Sequence, residues 1–268
     1  IELILTLILG ILAGTISGLI PGIHINLIGA LLVSLSTSLL SPLDPIYLVS
    51  FIASMSITHT FLDFIPSVFL GCPNTDTELS ILPGHELLKE GKGYGAVMLT
   101  AYGCLAAVII LILVSFPLIF LVSKAYKAIV FLIPYLLILS SLFLIFTERK
   151  KFNALLVLIL TGVLGLITLN LQLKESLLPL LTGLFGASSL ILSIKSKTQI
   201  PSQQISKIKT KLLKPLLGSL IASPLCGFLP GLGSGQAAVI GNTISKTDKK
   251  GFLVLLGATN TLVMGFSF

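Results

Sequence analysis

Charge is what this 268-residue chain has least of. Asp, Glu, Lys and Arg make up 10% of it, against about 25% in an ordinary soluble domain. That scarcity excludes a water-facing surface of the usual kind. The three cysteines, Cys72, Cys104 and Cys226, have neither metal-ligand nor redox spacing, so a zinc site or disulfide framework is excluded and small packing residues are expected. No phosphate-binding glycine loop, nucleophile triad or zinc signature occurs, which argues against an enzyme and against ATP-driven work within the chain. No basic region precedes the first apolar run, so a cleavable signal peptide is not expected. The absent initiator Met points to a start upstream of Ile1.

What the chain has in quantity is apolar sequence: 54% hydrophobic residues and a mean hydropathy of +1.08. Apolar segments fall near 2–20, 23–41, 46–72, 95–123, 128–147, 153–171, 176–194, 212–229, 232–245 and 251–268. Several reach the roughly 20 residues that cross a bilayer. An all-α polytopic membrane protein is expected. The net charge of +7 reads as short basic loops at a membrane, not as a nucleic-acid surface. If 46–72, 95–123, 128–147, 153–171 and 176–194 each cross once, all Lys and Arg except Lys124, Lys127 and Lys174 fall on one side. The positive-inside rule makes that side cytoplasmic. The basic stretch 195–214 is a linker between a first repeat, 1–194, and the start of a second, 215–268. Its end has the look of an interfacial helix.

A motif occurs twice. Residues 18–26 read GLIPGIHIN and residues 227–235 read GFLPGLGSG. Pro lacks an N–H and Gly lacks a Cβ, so both copies interrupt a helix. A second match follows each: Thr58-His59-Thr60 pairs with Thr259-Asn260-Thr261. Five crossings, an odd number, separate the copies, which predicts inverted-topology repeats built on broken or re-entrant hairpins. Because nothing after Phe268 matches 73–194, the second repeat is expected to be incomplete in this chain.

The paired Gly-x-x-Pro-Gly motif, the polar stretch 58–60 and the loop SILPGHELLKEGKGYG (80–95) resemble the large permease subunit of the tripartite tricarboxylate transporter family (TctA), in its shorter archaeal form. The first motif departs from the family by continuing Ile23-His24-Ile25-Asn26 where small residues are usual. The resemblance implies a permease for organic anions such as citrate in the cytoplasmic membrane. It also implies an extracytoplasmic solute-binding protein and a small membrane subunit as partners.

Two groups of site residues are expected. Half-helices beginning after the breaks would present backbone N–H groups and partial positive charge to an anion. Gly18, Pro21, Gly22, His24 and Asn26 would form one such place; Gly227, Pro230, Gly231, Gly233, Ser234 and Gly235 the other. Glycines in membrane helices also serve close packing. The second group is a polar pathway: Thr58, His59, Thr60 and Asp63, with Thr259, Asn260 and Thr261. His59 and Asp63 are spaced i, i+4 and would share a helix face. They would carry H⁺; unwound carbonyls near Pro21 and Pro230 would instead hold Na⁺. No other cofactor and no metal is expected. Asp76, Glu78, His85 and Glu86 are expected to be solvated loop residues. A lipid-phosphate translocase, for example for a polyprenyl carrier, is the competing reading, since the same helix termini would hold a phosphate.

Overall fold

The structure is a computed structural model that describes residues 1–21, 23, 25–36, 40–71, 76–171, 191, 194–195, 200–205, 208–229 and 232–267. Its elements are α1 (Glu2–Leu19), α2 (Ile25–Ser36), α3 (Pro45–Leu62), α4 (Phe64–Leu70), α5 (Ile81–Lys89), α6 (Gly93–Thr147), α7 (Lys151–Asn170), α8 (Leu213–Phe228), α9 (Ser234–Ser245) and α10 (Lys249–Phe266). Among the described residues there is no β-strand. Among the described residues four stretches are long and apolar enough to cross a membrane: Glu2–Leu19, Pro45–Leu70, Gly93–Phe120 and Lys151–Asn170. The molecule is a multi-pass, all-α membrane protein.

Local sequence explains where these helices start and stop. Asp44 accepts from the Ile46 N–H at 3.0 Å with Pro45 at the first helical position, the arrangement that starts a helix well. Asp248 does the same for α10, accepting from Gly251 N–H at 2.9 Å. Gly71, left-handed at φ 64°, closes α4. The Gln236 side chain reaches back to the Gly233 N–H at 2.9 Å and starts α9.

The structure differs from the expected segments in two places. Residues 46–72, expected as one span, bend at Asp63 between α3 and α4. Pro66 has no N–H for the Leu62 carbonyl, so the ladder breaks one turn earlier. Segments 95–123 and 128–147, expected as two helices, are one helix of 55 residues. The intervening Lys124-Ala125-Tyr126-Lys127 contains no helix breaker, and Lys and Ala are strong helix formers. Pro117 and Pro134 lie inside it. Segment 176–194, apart from residues 191 and 194, and linker residues 196–199, 206 and 207 lie outside the described residues.

The chain forms two units, residues 1–112 with 182–268, and residues 113–181. In the first, α1 runs alongside α3. Gly10, Gly14 and Gly18, four residues apart, face α3 in order: a Cβ on Gly10 would crowd Phe51 O and Ser54 Oγ, on Gly14 Met55 O and Thr58 Cβ, on Gly18 Leu62 Cβ and His59 O. The matching advance along both helices makes them parallel, and the Tyr47 hydroxyl donates to Glu2 Oε2 where both begin. Without a hydrophobic drive between helices in lipid, such close backbone approach supplies the association. The same arrangement recurs in α8 and α10, where Pro215 lies against Gly251 and Gly227 against Phe266. α10 is buried on every side from Leu253 to Met264, the state of a helix at the centre of a bundle. Its crossing with α6 is a reciprocal glycine contact, Gly103 on Val254 O and Gly257 on Thr100 O. Phe64, Val68, Leu99, Cys104 and Leu253–Leu256 fill the core around it. The second unit holds the rest of α6 and α7; α7 exposes most of its apolar surface, as a lipid-facing helix does.

Candidate functional site

Polar side chains meet where α3 crosses α10. Asp63 ends α3, His59 stands one turn before it, and Asn260 comes from α10. The Asn260 amide donates to Asp63 Oδ2 at 2.8 Å. His59 Nε2 lies 3.9 Å from the same oxygen, too long for a hydrogen bond but close enough for an ion pair once the ring is protonated. His59 Nδ1 is 3.0 Å from the Ser17 hydroxyl of α1. The three side chains His59, Asp63 and Asn260 are 3%, 4% and 2% exposed. Burial this deep disfavours an unpaired charge strongly, so the partners decide the protonation state.

Thr60 and Thr261 share a hydrogen bond at 2.9 Å. In the expected pairing of Thr58-His59-Thr60 with Thr259-Asn260-Thr261 these two residues are counterparts. The Cys104 thiol of α6 donates to Thr60 O and to Gly257 O, both at 3.3 Å, and so ties α6 to both helices. Met55 clusters with Met264, Thr60 bonds Thr261 and Asp63 bonds Asn260. The partner number falls as the α3 number rises, so α3 and α10 run antiparallel through this contact.

A second polar contact lies at the start of α9. The Ser234 hydroxyl donates to Asp76 Oδ1 at 2.8 Å and lies 3.3 Å from Asp76 O. A Cβ on Gly233 would approach Asp76 Oδ1 to 3.3 Å. A carboxylate therefore stands at the positive end of α9. Asp76, expected in solvent, is half-buried there. Ser234 and Gly235 are buried.

The remaining expected residues divide plainly. Gly18 and Gly227 are packed against α3 and α10, as above. Thr58 is half-buried beside Gly14. Thr259 returns its hydroxyl to Leu255 O and Leu256 O, both at 3.0 Å. Pro21 is in the turn after α1 and half-buried. Gly22, His24, Pro230 and Gly231 lie outside the described residues, as does the side chain of Asn26 in α2. The Glu78 side chain is likewise outside, and Glu86 pairs with Lys249 at 2.6 Å. His85 is half-buried; burial and then Lys89 hold its ring below the ordinary histidine value of 6.5. Among the described residues no cluster of three or more His, Cys, Asp or Glu could hold a metal.

Sequence reasoning missed Ser17, Asp76 and Cys104. Ser17 carried a usable signal: a small polar residue beside Gly18 on the glycine face of α1. Asp76 and Cys104 carried none, because only the fold brings them to their partners.

A family model described as the tripartite tricarboxylate transporter TctA family matches residues 4–268. The chain is 36% identical over 263 residues to an uncharacterized protein of Methanocaldococcus jannaschii, a match covering 95% of this chain and 65% of that protein. The chain thus spans just under two thirds of that relative's length. No solved structure matches.

Proposed function

This chain belongs to the tripartite tricarboxylate transporter TctA family, a family of transporters and not of enzymes, and from that premise we propose that it moves an organic anion, a di- or tricarboxylate, across the cytoplasmic membrane by alternating access. In this reading α1–α2–α3 and α8–α9–α10 are corresponding parts of two inverted repeats. The observation that carries it is the buried contact of equivalent residues, Thr60 with Thr261, on helices running in opposite directions. In a two-fold arrangement only residues at the axis meet their own equivalents. Antiparallel equivalents put that axis in the membrane plane.

The two hairpins also close differently. α9 folds back on α8, Gly218 against Gly241, whereas α2 packs on α3. Inverted repeats halted on one side of a transport cycle would differ in this way. Coupling is assigned to H⁺ at Asp63. Ionised Asp63 takes the Asn260 N–H as a charge-assisted bond, which holds the repeats together. Protonation weakens that bond and frees them to rock, while His59, held by Ser17, is placed to exchange the proton. The anion is held at the broken hairpins, at the starts of α2 and α9. An extracytoplasmic binding protein and a small membrane subunit deliver the solute, as the family name implies.

The test is uptake of radiolabelled citrate and other carboxylates into proteoliposomes with an imposed pH or Na⁺ gradient. Asp63→Asn keeps the shape and removes the charge, and should abolish acceleration by the pH gradient. Acceleration retained in that variant, or produced by Na⁺ alone, would overturn the H⁺ assignment. Exchange of substrate without any gradient should survive, which separates coupling from transport.

A further inference from the structure

We propose a binding site for the headgroup of an anionic phospholipid where the starts of α8 and α10 meet the end of α9. A cavity of about 480 Å³ there is lined by Lys209, Lys211, Lys214, Lys246 and Lys250. Among the described residues none of the five forms an ion pair; the three pairs present are His59–Asp63, Lys92–Glu90 and Lys249–Glu86. The one acid in the lining, Asp248, is taken up by the Gly251 N–H that it caps. The contrast with the neighbouring cavity is informative. That one shares Lys209 and Lys250 with the first and adds Lys92 and Lys249, but it also holds Glu86 and Glu90, which pair with Lys249 and Lys92. The first cavity gathers five lysines against the single carboxylate of Asp248, an excess of positive charge of the kind that recognises a phosphate.

The source of the phosphate follows from what adjoins the cavity. α8 starts beside Lys214, and Leu213, Leu217 and Ile221 on it are 72%, 49% and 58% exposed. Spaced four residues apart, they share one face. That face leaves the lysines and runs along an apolar helix, so a phosphate in the cavity places acyl chains on the stripe. A soluble anion would have no use for it. Juxtamembrane basic clusters attract anionic lipid through the same charge; here the charge is gathered into a pocket with its own apolar track.

The experiment titrates the purified full chain in detergent with phosphatidylglycerol, phosphatidylcholine or glycerol phosphate and reads the shift in melting temperature, which rises as a ligand binds the folded state. Phosphatidylglycerol should stabilise the protein and the other two should not. In Lys211→Gln/Lys214→Gln/Lys250→Gln the affinity for phosphatidylglycerol should fall roughly a hundredfold. Arg149→Gln/Lys150→Gln/Lys151→Gln, which removes equal charge elsewhere, should leave it unchanged. Leu217→Gln keeps every lysine and should weaken the lipid about tenfold, and it decides the matter if the lysine variant does not fold. Equal losses in the two triple variants would reduce the effect to diffuse charge. Stabilisation by glycerol phosphate equal to that by the lipid would make the ligand a soluble anion. Full affinity in Leu217→Gln would remove the acyl track. Each of these outcomes overturns the proposal.

Discussion

Asp63 is 4% exposed, and its Oδ2 is reached by both Asn260 and His59. A carboxylate in that position is costly unless its partners hold it. Asn260→Leu should therefore be worse than its loss of one hydrogen bond. It takes from a buried acid one of the groups that hold it, and a cost of about 1–3 kcal/mol is expected in thermal or denaturant unfolding. The double variant Asp63→Asn/Asn260→Leu should cost less than the two single changes summed, the mark of a direct pair. His85 supplies a second residue-scale prediction. Its ring titrates below 6.5 in the folded protein, so the unfolded chain binds more protons between that lowered value and about 6.5. Stability should be full above pH 6.5 and decline as the pH falls through the folded value. His85→Gln should flatten the acid limb of a melting curve measured from pH 7.5 to 5.5.

Helices here are held by backbone proximity as much as by side chains. Gly14 and Gly257 are each pressed against a carbonyl of the facing helix, Met55 O and Thr100 O. A backbone oxygen cannot rotate away, so a methyl group must push the helices apart. Gly257→Ala should destabilise by about 1–3 kcal/mol, the usual cost of overfilling a packed core. By contrast Gly162 and Gly165 of α7 have nothing within 4 Å, and alanine there should be neutral or slightly stabilising through its helix propensity. The likeness of 58–60 to 259–261 is visible in the sequence; that Thr60 and Thr261 touch is not. Nor is the parallel packing of α1 on α3. Gly10, Gly14 and Gly18 are visible as a small-residue series, but the series does not name the helix that receives it.

At the scale of the whole molecule, the proposal requires α3 and α10 to move against each other. Their hydroxyls touch at Thr60 and Thr261, so cysteines at both positions are close enough to be joined. Thr60→Cys/Thr261→Cys, made with Cys104→Ser to remove the neighbouring thiol, should lose uptake on oxidation and regain it on reduction. Unchanged uptake with the cross-link formed would show that this contact stays closed through the cycle.

What the sequence by itself determined was the solvent and the class of element. A chain with 10% charged residues and +1.08 mean hydropathy cannot cover a water-facing surface, and backbone groups in lipid must bond within their own helix. It also determined where the helices break, because Pro and Gly act on the residues beside them. There were two exceptions: the bend at Asp63, one turn before Pro66, and the extent of α6, where two lysines inside an apolar run look like a turn and helix propensity over 124–127 carried the helix through instead. Only the tertiary structure decided which polar residues meet. Ser17 reaches His59 across 42 positions, Asp76 reaches Ser234 across 158 and Asn260 reaches Asp63 across 197. Periodicity assigns each of these residues a helix face. It carries no information on which face it will meet, since that depends on the depth and crossing of helices far apart in the chain.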